Sequence, residues 1–236
     1  MSISPDATIF VKWGFVSINA TLVYTWAIMG LLVLLSWLAT RKLSVGAEIS
    51  RWQNFLETVV STMRRQVEDI TQRPPDRYVP FLGTLFLFIS VSNLLAVVPI
   101  YEPPTGSFST TAALAICVFF AVPIFGIGER GVGGYFRHYV RPSPLMAPFH
   151  VMSELSRTLA LAVRLFGNVM SGTMIVGILV SIVPFFLPVI MQALELLIGQ
   201  IQAYIFAVLA AVYIASATRA RTSRDRAEGA AQKGDA

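Results

Sequence analysis

The apolar run between Pro148 and Pro184 constrains this chain more than any other feature. As one helix of roughly 35 residues it would be about 52 Å long, against a bilayer hydrocarbon core of about 30 Å. In a membrane such a helix must tilt or bend. Its middle, Ser153 to Gly172, reads SELSRTLALAVRLFGNVMSG and carries Glu154, Arg157, Arg164 and Asn168. Arg164 follows Leu161, Ala162 and Val163 and precedes Leu165 and Phe166. Arginine keeps its charge inside proteins. An isolated cation at mid-bilayer costs roughly 3 kcal/mol on insertion scales, so Arg164 calls for a counter-charge, water or a task.

Similar runs recur along the chain. It is 55% hydrophobic and 13% charged, about half the charged fraction of a soluble domain, with a mean hydropathy of +0.67. The expected fold is an all-α polytopic membrane protein with about five membrane helices, at roughly 14–40, 78–100, 108–128, 149–183 and 188–218. The last two are long and strongly tilted, joined as a hairpin by the uncharged link SIVPFFLP. Residues 45–73 differ. Val45, Ile49, Trp52, Val59, Val60, Met63, Val67 and Ile70 recur at helical spacing, with Arg51, Glu57, Arg64, Arg65, Glu68 and Asp69 between them. This is an amphipathic helix, suited to lie on a membrane surface, to pack on a partner helix or to cover the chain's own cytoplasmic face. Pro74 and Pro75 end it. Glu129 to Pro148 is expected to be a loop, and 219–236 a disordered polar tail. The whole of 1–236 reads as a single membrane domain.

The net charge of +5 does not indicate nucleic acid, because most Lys and Arg sit in the connections between apolar runs. Arg41 and Lys42, then Arg130, Arg137 and Arg141, then the arginines of the tail mark the cytoplasmic side. The turn YEPPTGS at 101–107 has one acid and no cation and belongs outside. The N-terminus is therefore expected outside and the C-terminus in the cytoplasm. The segment MSISPDATIFVKWG does not read as a cleaved signal peptide. Cys117 is the single cysteine, and His138 and His150 are isolated, which argues against a disulfide framework and against a metal or other cofactor.

Polar groups in the last two runs fall into stripes. Ser153, Ser156, Arg157, Ala160, Arg164, Gly167, Asn168 and Ser171 share one helix face, small and polar enough for another helix to approach closely. Gln192, Glu195, Gly199 and Gln202 share a face of the last helix. Glu195 is either a structural partner of an arginine across the hairpin or a protonatable group on an ion path. Asn93, in the second span, either bonds a neighbouring helix or lines an aqueous path.

RLFGN at 164–168, followed by IQAYIFAVLAAVYIASA from Ile201, resembles the subunit a family of F-type ATP synthases. SNLLAVVP at 92–99 and the following PTGSFSTTAALA are similar to the second-span motif and third-span entry of that family, so the likeness covers nearly all of the chain from about residue 45. The resemblance implies a non-catalytic stator subunit that packs against a ring of c subunits. Two half-channels would couple proton flow to ATP synthesis or hydrolysis. It also implies b subunits of a peripheral stalk and the rest of the complex as partners, in a cell inner membrane, and the sequence shows no phosphate-binding Gly-rich loop of its own. By this likeness Arg164 faces the ring carboxylates as a barrier to direct ion leak. Glu195 and Asn93 belong to the outer half-channel, Gln202 faces the arginine, and Asn168 lies on the inner path. Glu154 and Ser156 help open the inner path, and Gln192 supports the channel. Thr173 and Ala96 depart from the family pattern, since both occupy positions where ionisable groups occur in relatives. Sodium is therefore an alternative to the proton. Two other classes remain: a secondary transporter whose arginine binds an anion, and a scaffold held by a buried Arg–Glu pair.

Overall fold

The computed structural model describes residues 9–13, 16–41, 51–98, 101–140, 147–183 and 186–219. Two strands, β1 (Ile9–Trp13) and β2 (Val16–Asn19), open it as an antiparallel hairpin, with Trp13 opposite Val16 and Lys12 opposite Ser17. Six helices follow: α1 (Ala20–Thr40), α2 (Arg51–Thr71), α3 (Val79–Leu95), α4 (Phe108–Val140), α5 (Ala147–Ile182) and α6 (Leu187–Arg219). The protein is thus a helical membrane protein carrying a small N-terminal hairpin. The hairpin corrects the expectation of a first span beginning at residue 14, since Val16–Asn19 is rich in β-branched residues and pairs in extended form.

α1, α4, α5 and α6 are long and apolar enough to cross a membrane. α3 is apolar but has 17 residues, about 26 Å at 1.5 Å per residue. It was expected to reach residue 100. Instead it unwinds after Leu95 into turns in which the Ala96 and Val98 amides bond to Asn93 and Leu95 carbonyls at 3.2 and 2.9 Å. α4 corrects a second expectation. Residues taken as a loop from Glu129 continue as helix to Val140, across a bend at Gly131 (φ +72°). Glycine permits that left-handed backbone without steric cost.

α3 packs mainly on α6, α4 on α5, and α5 and α4 also on α6. Apolar burial between helices gives little driving force in lipid, so close packing and interhelical hydrogen bonds hold such a bundle. The α3–α6 seam uses both. Ser90 and Gln200 bond each other, Gln200 Nε2 donating to the Ser90 carbonyl at 3.0 Å. Asn93 Nδ2 donates to the Gly199 carbonyl at 2.9 Å. A Cβ on Gly199 would lie 3.0 Å from Asn93 Cβ, so glycine sets how near the two helices come. Small residues Ala203, Ala210 and Ala211 continue the seam around a fully buried Phe206.

The amphipathic helix α2 packs chiefly on the chain's own α6, with less contact to α3. Its end is tied down. Gln72 adopts φ +54° as its amide bonds back to the Glu68 carbonyl, and Pro74 and Pro75 follow. Arg73 donates to the Glu129 carboxylate on α4 and to the Thr218 carbonyl of α6 at 3.2 Å. Arg77 reaches the other Glu129 oxygen at 3.3 Å. Glu129 thereby ties the α2–α3 connection to α4, and Arg73 links that connection to the end of α6. The expected helical turn at 45–50 and the tail from 220 onward lie outside the described residues.

Candidate functional site

α5 splits its residues sharply between two sides. Leu161, Ala162, Leu165 and Val169 are buried against the bundle. Ser153, Ser156, Arg157, Ala160, Arg164, Gly167, Asn168 and Ser171, the small polar stripe, are all exposed. Arg164 projects from that uncovered face, and among the described residues it has neither an ion pair nor a hydrogen bond. The buried Arg–Glu pair considered from the sequence is therefore not formed. Arg157, two turns away, lies over the Tyr213 ring at 5.6 Å. Such a contact favours a cation near an aromatic face. Glu154 sits a turn before Thr158, whose hydroxyl donates to the Glu154 carbonyl at 3.0 Å.

Behind that face lies a cavity of about 390 Å³ between α3, the turn at 101–103, α5 and α6. It gathers Asn93, Asn168, Thr173, Gln192, Glu195 and Gln202 from the sequence-derived set. Arg164, Glu154 and Ser156 are not among its lining residues. Asn93, Asn168, Thr173, Gln192 and Gln202 have polar contacts that fix their orientation. Asn168 Nδ2 donates to Gln202 Oε1 at 2.8 Å. Asn93 Oδ1 accepts from Thr105 Oγ1 at 3.0 Å, so both ends of the Asn93 amide are engaged while its side chain lines the cavity. The two alternatives for Asn93, helix bonding and cavity lining, hold together. Gln192 Nε2 reaches the Ala96 carbonyl at 3.4 Å. Thr173 Oγ1 turns back to its own helix, at 3.0 Å from the Met170 carbonyl.

Two groups are left open. Gln202 is 3% exposed, yet its Nε2 has no partner, and a buried donor of this kind is costly unless an acceptor occupies the space. Glu195 is half-buried, with no hydrogen bond or ion pair among the described residues. Its carboxylate rests against Gly172: a Cβ at that glycine would lie 2.6 Å from the Glu195 carboxyl carbon. The cavity wall is mostly apolar, with these unsatisfied polar groups set into it, and a space of this volume beside such groups can hold water.

The sequence reading placed Gln202 opposite the arginine and Asn168 on a separate path. In the structure these two amides are bonded to each other and share the cavity of Glu195. Tyr101, Glu102, Ser171 and Gly172 also line it and went unremarked as site residues. Glu102 lies in a turn, outside the apolar runs that drew attention to Glu195. The signal for it was an acid without a basic neighbour, followed by Pro103 and Pro104.

A family model described as ATP synthase A chain matches residues 22–215. ATP synthase subunit a 2 of Acaryochloris marina is 59% identical over 219 residues, covering 93% of this chain and 94% of that one. ATP synthase subunit a of Albidiferax ferrireducens is 59% identical over 221 residues, 94% of this chain and 96% of the relative. The corresponding protein of Nitrosospira multiformis is 57% identical over 218 residues, 92% of this chain and 87% of the relative. With a membrane bundle that leaves one arginine-bearing helix face uncovered, and with relatives matched along almost their whole length, this chain belongs to the ATP synthase subunit a family.

Proposed function

We propose that this subunit is the ion-translocating stator of its ATP synthase, working against a rotating ring of c subunits through two half-channels. The family assignment sets aside the anion-transporter reading. The observation that carries the proposal is Arg164 itself: a permanent cation on an uncovered helix face, with no ion-paired carboxylate among the described residues. In an apolar medium that charge needs a partner. A carboxylate on a subunit moving past the α5 face supplies one, and the small residues around Arg164 let its helix come near. Arg164 attracts the deprotonated carboxylate and repels a free cation. This stops ions from passing directly between the two aqueous paths, where each charge falling through 100 mV is worth about 2.3 kcal/mol.

The cavity holding Glu195 serves as the outer half-channel. Glu195 accepts the incoming cation, and Asn93, Gln192, Thr173 and the Asn168–Gln202 pair line its way to the ring. Glu154 and Ser156 stand on the inner side. The subunit carries no catalytic site, its N-terminus lies outside and its C-terminus in the cytoplasm, and the b subunits of the stalk hold it in place. Support for the orientation comes from Arg41, Lys42 and the tail arginines at the inner ends of the spans.

The proton is the first choice of ion. Sodium is favoured by one feature: neutral oxygens of Thr173, Asn93 and Gln192 share the cavity with Glu195, and oxygen ligands suit a hard cation. The test is Arg164→Ala in the assembled complex. Ion-driven ATP synthesis is expected to vanish while the subunit still assembles, since Arg164 is exposed and makes no ion pair or hydrogen bond among the described residues. Normal coupled synthesis would defeat the proposal. Repeating the assay with sodium and pH gradients separates the two ions.

A further inference from the structure

Glu102 belongs to no motif, yet it stands at the head of a buried and hydrogen-bonded segment. Pro103, Pro104, Thr105, Gly106 and Ser107 are buried. The Tyr101 amide bonds to the Val98 carbonyl at 3.0 Å, and its ring stacks edge-on against Tyr24 of α1 at 5.1 Å. Thr105 is bonded to Asn93. A loop acid that merely aids solubility has no use for so fixed a backbone. Glu102 lines the same cavity as Glu195 and, among the described residues, has neither a hydrogen bond nor an ion pair.

The charge of that cavity is one-sided. Its ionisable lining groups are Glu102 from the turn, Glu195 from α6 and Tyr101. Among the described residues α3 and α5 contribute none, and no Lys, Arg or His lines it. Tyr24 stands behind Tyr101 on α1. Burial pushes the Tyr101 phenol up to about 12, so it stays neutral at working pH. Two carboxylates with low-dielectric walls and no cation raise the local cation concentration. The unpartnered Nε2 of Gln202, 97% buried at the same cavity, needs an oxygen acceptor, which a water molecule supplies. The cavity thus pairs two carboxylates with a buried donor that a water molecule can satisfy.

We infer that Glu102 is a second cation-accepting carboxylate of this cavity, collecting the ion at its rim and passing it to Glu195. The inference rests on the stator reading above. It gives the outer path a second ionisable group where Thr173 and Ala96 supply none. Glu102 takes the cation directly, as a proton on a carboxyl oxygen or as an ion held by that oxygen, and releases the same species inward, so nothing else is consumed.

The test uses the whole complex in liposomes, with ATP synthesis measured against outer-side cation concentration, by pH and by sodium in separate series. Glu102→Gln is expected to raise the apparent KM for the transported cation roughly tenfold, leaving kcat at saturating cation unchanged. Inert salt should shrink the difference, because screening removes the collecting effect. Glu102→Asp should restore most of the wild-type KM. A merely structural role would instead lower kcat and assembly together. If Glu102→Gln assembles poorly, Glu102→Cys in a Cys117→Ala background serves: an anionic thiol reagent should lower KM and a cationic one raise it. A Glu102→Gln enzyme with wild-type cation dependence, or a cysteine variant indifferent to reagent charge, overturns the inference. Arg164→Ala in parallel separates the two failures. Coupled synthesis persisting there defeats the stator reading, and synthesis lost there with Glu102→Gln unchanged defeats this inference alone.

Discussion

The carboxylate of Glu195 lies against the backbone of Gly172, so close that a Cβ there would approach its carboxyl carbon to 2.6 Å and Cγ to 2.9 Å. The pair joins α5 to α6 eight residues beyond Arg164 in sequence. Glycine here is a seat for an acid. Gly172→Ala is expected to swing the carboxylate aside, since the end of a glutamate moves more easily than a backbone. ATP-driven ion pumping should fall severalfold, while the stability of the purified complex changes by no more than about 0.5 kcal/mol, as for a surface substitution. A large loss of stability with normal pumping would show that the contact is packing alone.

Glu195 and Gln192 line one cavity one turn apart, but only Glu195 can carry charge. Glu195→Gln is expected to slow ion transport at least tenfold more than Gln192→Ala, measured as the initial rate of ATP-driven gradient formation. The Gln192 amide makes one long bond, 3.4 Å to the Ala96 carbonyl, so its loss costs little. Equal effects would assign Glu195 a structural part.

Gly199 fixes the approach of α3 to α6, because any Cβ there would meet Asn93 at 3.0–3.2 Å. Gly199→Val is expected to separate the helices, break the bond from Asn93 to the Gly199 carbonyl and destabilise the subunit by about 1–3 kcal/mol through overpacking. The readout is detergent denaturation of the isolated subunit. Gly177, which has no such neighbour, is the control, and Gly177→Ala should be close to neutral.

Glu129 binds both Arg73 and Arg77, and Arg73 also bonds Thr218 of α6. Glu129→Gln should cost about 1.5–3 kcal/mol, the usual range for a hydrogen bond to a charged group, and should loosen the end of α6 by releasing the Arg73 side chain that bonds Thr218. Faster proteolysis near residues 219–220 and a lowered unfolding midpoint would report it. Glu129→Ala with unchanged proteolysis would mean that the clamp carries no weight.

Helix number, the amphipathic character of 51–71 and the two polar stripes were all legible in the sequence, because apolar length and helical spacing are local properties. What the stripes faced was not. The α5 and α6 stripes look equivalent as patterns, yet the first is exposed and the second turns inward toward α3 and α5. That difference comes from the arrangement of helices, which spacing cannot encode. The Asn168–Gln202 bond has no local signal for the same reason: it spans 34 residues and depends on how the hairpin closes. Glu102 was passed over because a turn residue carries no periodic signal. The extension of α4 past Glu129 was hidden by glycines that read as a loop. Two helical stretches are joined there across a kink at Gly131, whose positive φ glycine adopts freely.

The uncovered face of α5 also has a meaning for the life of the polypeptide before assembly. A bilayer cannot solvate Arg164 or the serines and asparagine around it, so the newly inserted chain is in an energetically poor state until a neighbour covers them. Such a subunit marks itself as an orphan. An unassembled copy exposes a polar transmembrane face to lipid, and a neighbouring helix that covers this face removes the penalty.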